Sequence, residues 1–225
     1  CIMDFMKTVF EKAVELRKTI VLPEGNEPRT LKAAEIIKEK GLAKVILVGS
    51  ENEIRKTAAA EQVDINRVQI VEPAKSEWFN DFVKTFYELR KHKGMDIETA
   101  QKIMKDEIYF ATMMVHKGYA DGLVSGAVHS TGDTIRPALQ IIKTKPGIRT
   151  VSSSFVMLVP DCELGCSGRF VFADCAVNID PDENQLAEIA ISSAETAKVL
   201  CGMEPKVAML SFSTNGSAKH LFVDK

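Results

Sequence analysis

Short apolar runs alternate with amphipathic stretches over the first half of the chain. Runs rich in β-branched residues at 19–22, 43–48 and 68–71 are bounded by Pro or Gly and predict buried strands. Between the first two runs, apolar residues recur at helical spacing, which predicts a helix from Pro28 to a stop at Gly41. Alternating strands and helices imply parallel strands covered by helices, so this half predicts a layered α/β sheet.

Small polar residues mark where the helices begin. We predict that Asp4 and Asn26 cap the first two helices and that Ser50 and Glu53 form a capping box for the third. The pattern over 76–117 is helical throughout. It predicts one helix that stops at Gly94 and a second helix that starts at Asp96 with Thr99. After this pattern we predict a β-hairpin formed by 150–159 and 169–175, a helix over 183–200 and a further strand over 206–210.

The pattern change near Arg149 predicts two domains, a first α/β domain over 3–149 and the start of a second over 150–225. The second is expected to be incomplete at its C-terminus.

A hydroxyl-rich loop and helix at 125–147 form the most informative stretch. We predict that Asp133 or Thr134 caps this helix and that Pro137 fixes its start, since a missing N–H is harmless only in the first turn. Arg136 must then lie in the first turn, among free backbone N–H groups, which favours a phosphate-sized anion. Ordinary capping with an Arg136–carboxylate ion pair is the alternative. The predicted apolar face of this helix is Ile135, Leu139 and Ile142.

Composition excludes several classes of partner. The 225 residues carry a net charge of −2, which argues against a nucleic acid or an anionic membrane as partner. We expect neither a signal peptide nor a membrane span. Five cysteines without a disulfide or metal spacing fit a reducing, cytoplasmic location and predict buried or inert thiols.

Several stretches together resemble one family, that of phosphate acetyltransferase (phosphotransacetylase), over 3–225. The stretches that carry the resemblance are Leu22-Pro-Glu-Gly with Arg29, Leu89-Arg-Lys-His-Lys-Gly94, Ser125-Gly-Ala-Val-His-Ser-Thr-Gly-Asp-Thr-Ile-Arg-Pro137, Ala173-Asp-Cys-Ala-Val-Asn178 and Ser211-Phe-Ser-Thr-Asn-Gly-Ser-Ala-Lys219.

The resemblance implies reversible acetyl transfer between coenzyme A and inorganic phosphate, with acetyl-CoA and acetyl phosphate as the acyl donors. It also implies a two-domain layered αβα fold similar to isocitrate and isopropylmalate dehydrogenases, a cleft site, a homodimer, and no metal or prosthetic group. The family's phosphate-binding arginines fall on Arg90 and Arg136. Further donors to phosphate or carbonyl oxygens are expected from Ser130, Thr131, Ser213 and Thr214.

Members of the family continue beyond Lys225, with a Ser-Arg-Gly motif and a downstream Asp taken to be the thiol base. No base is therefore assigned here; Asp174 and Asp180 are candidates by residue type alone. We expect this chain to be nearly inactive and an extended form to be active.

Three alternatives stay open. They are a phosphate butyryltransferase-like enzyme, a non-catalytic relative that binds coenzyme A, and a nicotinamide-dependent dehydrogenase. The last lacks both a GxGxxG motif and a trio of acids for a metal.

Overall fold

The computed structural model describes residues 2–224. The chain forms two compact units. One, which we call the sheet unit, contains Phe10–Lys143, and the other, the hairpin unit, contains the chain from Thr144 onwards together with the residues before Phe10. The domain division at 149/150 stays a prediction about the complete fold.

The sheet unit alternates strands and helices. Its strands are β1 (Thr19–Leu22), β2 (Lys44–Val48), β3 (Gln69–Val71) and β4 (Gly122–Leu123). Its helices, after α1 (Ile2–Leu16) at the start of the chain, are α2 (Pro28–Glu39), α3 (Glu51–Ala60), α4 (Phe79–Arg90), α5 (Ile97–Ile103), α6 (Glu107–His116) and α7 (Thr131–Ile141). The predicted first three strands are confirmed to within one residue at each end, because Pro and Gly bound each apolar run.

The strands form one parallel sheet in the order β3-β2-β1-β4, with Val21 opposite Ile46 and Leu123. Alternate side chains point to opposite faces of a strand. Val21 and Ile46 therefore lie in one core, and Leu22 lies in the other. Helices α4, α6 and α7 supply the first core, and α2 and α3 the second. The predicted layered αβα arrangement is confirmed for this unit.

The hairpin unit contains β5 (Ser154–Leu158), a short irregular helical turn α8 (Leu164–Ser167), β6 (Arg169–Ala173) and α9 (Glu183–Val199). Strands β5 and β6 pair antiparallel, as predicted, and α9 packs against β6. The Glu188 carboxylate on α9 accepts hydrogen bonds from the backbone N–H groups of Arg149 and Thr150, at 2.9 and 2.7 Å. These bonds tie the entry of the hairpin to the helix.

Two predicted elements are wrong. Residues 206–210 form no strand, since they pair with no other segment in the described part of the chain; Leu210 is 85% exposed. The helical stretch 76–117 is divided, because Asp106 accepts hydrogen bonds from the backbone N–H groups of Ile108 and Tyr109 and so starts α6 after a break. The predicted Gly94 stop and the Asp96 cap are confirmed.

Three predicted caps are also wrong. Helix α1 begins at Ile2, so Asp4 lies inside its first turn. Glu27, one residue after Asn26, caps α2 by accepting a hydrogen bond from the Thr30 N–H. Ser50 does precede α3, but its side chain makes no capping bond. At the start of α2, Asn26 and Glu27 are both polar, and Glu27 is the residue whose side chain accepts the capping hydrogen bond.

A glycine holds the turn after β1 close to β2. Gly25 donates its N–H to Val48 O at 3.1 Å, and an added Cβ would lie 2.7 Å from that oxygen and 2.8 Å from Ile54 Cδ1. We predict that Gly25→Ala lowers the free energy of unfolding by about 1–3 kcal/mol, because a strand carbonyl cannot yield like a side chain. Urea unfolding measures the change.

Gly132→Ala is the matched control. Gly132 lies in the first turn of α7, where an added Cβ meets nothing closer than Ser130 Oγ at 3.8 Å. Alanine is the better helix former, so this variant should unfold at the same or a higher urea concentration. Equal stability of the two variants would show that the short distance between an added Cβ at Gly25 and Val48 O does not destabilise the fold.

Candidate active site

The strand order reverses its direction at β1. The chain adds β2 and β3 on one side of β1 and then β4 on the other. In open α/β sheets, ligands bind outside the carboxyl ends of the strands at such a reversal. The segments that follow β1 and β4 there are 23–27 and 124–130. The sheet topology alone therefore directs attention to these two loops.

A buried glutamate joins the two loops. Glu24 is 3% exposed, and its carboxylate accepts hydrogen bonds from four successive backbone N–H groups, those of Gly126, Ala127, Val128 and His129, at 2.8–3.1 Å. The imidazole Nδ1 of His129 lies 2.8 Å from Glu24 Oε1. One carboxylate thus fixes the path of the whole loop that leads to α7.

The same bonds keep the carboxylate charged. Burial alone would raise the pKa of Glu24, but the donors from Val128, Ala127 and His129 outweigh burial and lower the pKa to about 2. Glu24 is therefore ionised throughout the physiological range. A buried charge is tolerable here because hydrogen bonds satisfy it.

Arg29 supports the loop from the other side. Its Nη2 donates to Ala127 O at 2.7 Å, and its Nε contacts the Glu27 carboxylate at 2.6 Å. Glu27 in the loop after β1 therefore caps α2, and Arg29 supports the loop after β4.

Helix α7 begins earlier than predicted. Ser130 is its N-cap and accepts a hydrogen bond from the Asp133 N–H at 3.2 Å. Pro137 therefore lies inside the helix, and Arg136 lies in the second turn; the predicted first-turn position is wrong. Pro137 is buried with Ile141, and packing and the Ser130 cap outweigh the backbone bond that proline cannot make.

The predicted apolar face of α7 is wrong too. Leu139 and Ile142 are 46% and 47% exposed, whereas the buried side chains are Pro137 and Ile141. The helix has two apolar stripes, and only packing against the sheet unit selects one of them.

Helices α4, α6 and α7 bring the two predicted arginines toward one side chain, Tyr109 on α6. The Tyr109 ring meets Phe86 of α4 edge-on, with centroids 5.6 Å apart, and its hydroxyl donates to Gln140 Oε1 of α7 at 3.2 Å. Arg90 lies four residues after Phe86, and Arg136 four before Gln140, so each arginine shares a helix face with a Tyr109 contact.

Electrostatics agree with this placement. Burial raises the pKa of the Tyr109 phenol, and the positive charges of Arg136 and Arg90 act to lower it. Both guanidinium groups therefore lie within electrostatic reach of the same hydroxyl.

Two buried polar atoms of the sheet unit are left for a ligand. Among the described residues, Arg90 Nε and Ser125 Oγ are buried and have no hydrogen-bond partner. Buried donors are nearly always satisfied in native proteins. Arg136 is 61% exposed at its side chain, and its one ion pair within the described residues is with Asp133 at 3.5 Å, so its guanidinium is accessible. Each of these groups is therefore a candidate to contact an anion.

The predicted hydroxyl donors have different surroundings. Ser130 Oγ donates to Asp133 Oδ2 at 2.6 Å and so serves the helix cap first, while Thr131 is the first residue of α7. Ser213 and Thr214 belong to the hairpin unit, in an exposed turn where their backbone N–H groups donate to the hydroxyls of Ser211 and Ser217. Their roles toward substrate stay predictions.

Asp174 is an anchor of the hairpin unit. It accepts hydrogen bonds from Ser153, from the backbone N–H groups of Ala176 and Val177, and from both nitrogens of Asn178. Burial would raise its pKa, but these donors hold the pKa far below the ordinary range of a carboxyl. A carboxylate so stabilised is a poor proton acceptor, which argues against Asp174 as the thiol base.

The described residues contain no cluster of three His, Cys, Asp or Glu side chains arranged to hold a metal. The cysteines with described surroundings are free thiols, at positions 162, 166, 175 and 201. No helix within residues 2–224 is both long and apolar enough to cross a bilayer.

Comparison with known proteins identifies the family. The sequence model described as "Phosphate acetyl/butaryl transferase" matches residues 4–225. The chain belongs to this family. It is 57% identical over 223 residues to a phosphate acetyltransferase of Thermoanaerobacterium thermosaccharolyticum and 53% identical to one of Clostridium acetobutylicum, covering 99% of this chain and 67% of each relative.

A crystal structure shares the fold. The chain superimposes on a phosphotransacetylase from Streptococcus pyogenes with a TM-score of 0.90 and 45% identity, over 100% of this chain and 66% of that one. The chain thus spans about two thirds of the length of the relatives it matches. Membership in a family of acyltransferases removes the support for the dehydrogenase alternative.

The candidate site contains residues that sequence reasoning missed. Glu24 and His129 lie within the quoted motifs and Tyr109 lies outside them, and each resembles an ordinary capping, core or loop residue in one dimension. The signal available for Glu24 was its place just after the first predicted strand. The Gly-containing loop that it binds lies about a hundred positions further along the chain.

Glu24 makes the stability of the sheet unit depend on pH. Its folded pKa of about 2 lies below its unfolded pKa, so its contribution is fully present above pH 4.5 and is lost as pH falls toward 2. We predict that Glu24→Gln lowers the free energy of unfolding at pH 7 by about 3 kcal/mol. The difference in free energy of unfolding between wild type and variant should be smaller at pH 3 than at pH 7. Urea unfolding at both pH values measures it.

Glu39→Gln is the control, because Glu39 is an exposed residue at the end of α2. This variant should match wild type at both pH values. A Glu24→Gln protein as stable as the control at pH 7 would contradict the anchoring role.

Proposed function

We propose that this protein transfers an acetyl group reversibly between coenzyme A and inorganic phosphate, forming or consuming acetyl phosphate. One observation carries the proposal: Arg90 and Arg136 both lie within electrostatic reach of Tyr109, and Arg90 Nε is buried with no partner among the described residues. The relatives named phosphate acetyltransferase support the choice of substrates.

Each group has a distinct part in the reaction. The two guanidinium groups hold phosphate through charge-assisted, two-pronged hydrogen bonds. The amino end of α7, including the N–H of Thr131, adds a positive partial charge. Fixing phosphate before it meets the acyl carbon removes much of the entropy cost of a two-substrate reaction.

Further features belong to the proposal. The enzyme uses acetyl-CoA as a substrate and needs no metal or prosthetic group. It acts as a homodimer in the cytoplasm. Butyryl transfer is the second candidate, because the family description includes both acyl groups.

Phosphate-dependent release of coenzyme A from acetyl-CoA tests the function. The assay is run on this 225-residue chain and on a form extended to the length of its relatives, with butyryl-CoA alongside. We expect the extended form to be active, with acetyl-CoA preferred, and the shorter chain to be nearly inactive. No phosphate-dependent release from either form would overturn the proposal.

Arg136→Lys tests the phosphate contact in the extended form. Lysine keeps the charge but loses the planar fork, so we predict that transfer falls by roughly a hundredfold, equivalent to about 2–3 kcal/mol. The KM for phosphate should change more than the KM for coenzyme A, and the melting temperature should hardly move.

Arg55→Lys is the matched control, since Arg55 is 59% exposed at its side chain and also pairs with a carboxylate on its own helix. This variant should leave the KM for phosphate and the KM for coenzyme A unchanged. Normal kinetics with Arg136→Lys, or a loss of melting temperature alone, would make Arg136 a structural ion-pair residue.

A further inference from the structure

The geometry around His129 fixes which ring nitrogen carries the proton. His129 Nδ1 lies 2.8 Å from Glu24 Oε1, and the Glu24 carboxylate is ionised. An ionised carboxylate only accepts hydrogen bonds, so Nδ1 must be the N–H donor. In the neutral ring, Nε2 then carries the lone pair and is free to accept a proton.

The imidazole is also accessible. The His129 side chain is 31% exposed, although the Glu24 side chain that orients it is only 3% exposed. His129 directly precedes Ser130, the N-cap of α7, and so lies at the amino end of the helix that carries Arg136. A nitrogen base held by a buried carboxylate and open to solvent is the arrangement of an oriented general base.

The charged groups around the ring come from each neighbouring element. Besides Glu24 after β1, the ring interacts with Glu107 at the start of α6 and with Asp133 in α7. Glu53 of α3 in turn acts on Glu107, and Arg136 acts on Asp133. Burial raises the pKa of Glu107, whereas hydrogen bonds lower the pKa values of Glu24 and Asp133.

We propose that His129 Nε2 accepts the proton of inorganic phosphate as phosphate attacks the acyl carbon, and that Glu24 is the positioning residue that holds the ring for this step. The proposal rests on the proposed function. It adds a proton acceptor for phosphate, separate from any base that serves the thiol.

The step balances as follows in atoms and charge. A hydroxyl oxygen of phosphate forms a bond to the carbonyl carbon of acetyl-CoA while its proton moves to Nε2. The carbon–sulfur bond breaks, and its electron pair leaves with the coenzyme A thiolate. In the reverse direction the imidazolium returns the proton to the phosphate oxygen as the thiolate displaces it.

His129→Asn is the decisive variant. Its side-chain amide can still donate to Glu24 from near the Nδ1 position, but it has no titratable nitrogen at Nε2. In the extended form we expect kcat to fall by about a hundredfold, within the range for loss of a general base, with the KM for phosphate changed less than twofold. The acidic limb of the wild-type pH–rate profile should disappear, because that limb reports protonation of the base.

His116→Asn is the matched control, because His116 is an exposed residue at the end of α6. It should keep the wild-type kcat and the wild-type pH profile. Glu24→Gln should lower kcat and shift the acidic limb while Nε2 remains present, since it removes the ionised partner that fixes the ring.

Two results would overturn the proposal. One is a His129→Asn enzyme with normal kcat, whatever its melting temperature; the other is an unchanged acidic limb in that variant. Nitrogen NMR of the His129 ring gives a readout independent of turnover. We expect the Nδ1–H tautomer, and an Nε2 signal that moves when inorganic phosphate is added.

The NMR readout also separates the two proposals. If neither acetyl-CoA nor butyryl-CoA is turned over, the acyl-transfer function fails. A phosphate-induced shift at Nε2 would then still support the contact with phosphate, and an Nε2–H tautomer or an unresponsive Nε2 would refute it.

Discussion

A desolvated carboxylate with enough hydrogen-bond donors holds the site together. Glu24 would be costly to bury alone, and four consecutive backbone N–H groups together with an imidazole make its burial favourable. The dependence is mutual, because the loop 126–129 has few other partners for those N–H groups. Through Ser130, the same loop sets where α7 begins, and therefore where Arg136 is presented.

Much of the fold was predictable because hydrophobic periodicity is a local signal. Strands β1 to β3, the β5–β6 hairpin and α9 follow from apolar runs bounded by Pro, Gly or a strong cap. The predicted strand at 206–210 failed because strand formation needs a partner, which composition does not reveal.

The candidate site was less predictable, because its parts meet only in three dimensions. Arg136 and its loop pointed to an anion, whereas Arg90 was expected to bind phosphate only because of the family resemblance. The predicted first-turn position of Arg136 assumed that Pro137 could not lie deeper in the helix. A buried proline within a helix loses one backbone bond and gains packing, and that balance is invisible in one dimension. Tyr109 joins both arginines through contacts on two other helices, so no spacing rule could have found it.

The sequence distance between Glu24 and its donors affects how the protein is made. The donors lie 102 to 105 positions further along the chain. During synthesis, Glu24 therefore emerges roughly 5 to 20 seconds before the residues that satisfy it. Until then the carboxylate is stable only in water, so the border of β1 that receives β4 stays hydrated. Closure of this long loop is among the slower steps of folding. The candidate site groups consequently come together only after almost the whole sheet unit has been synthesised.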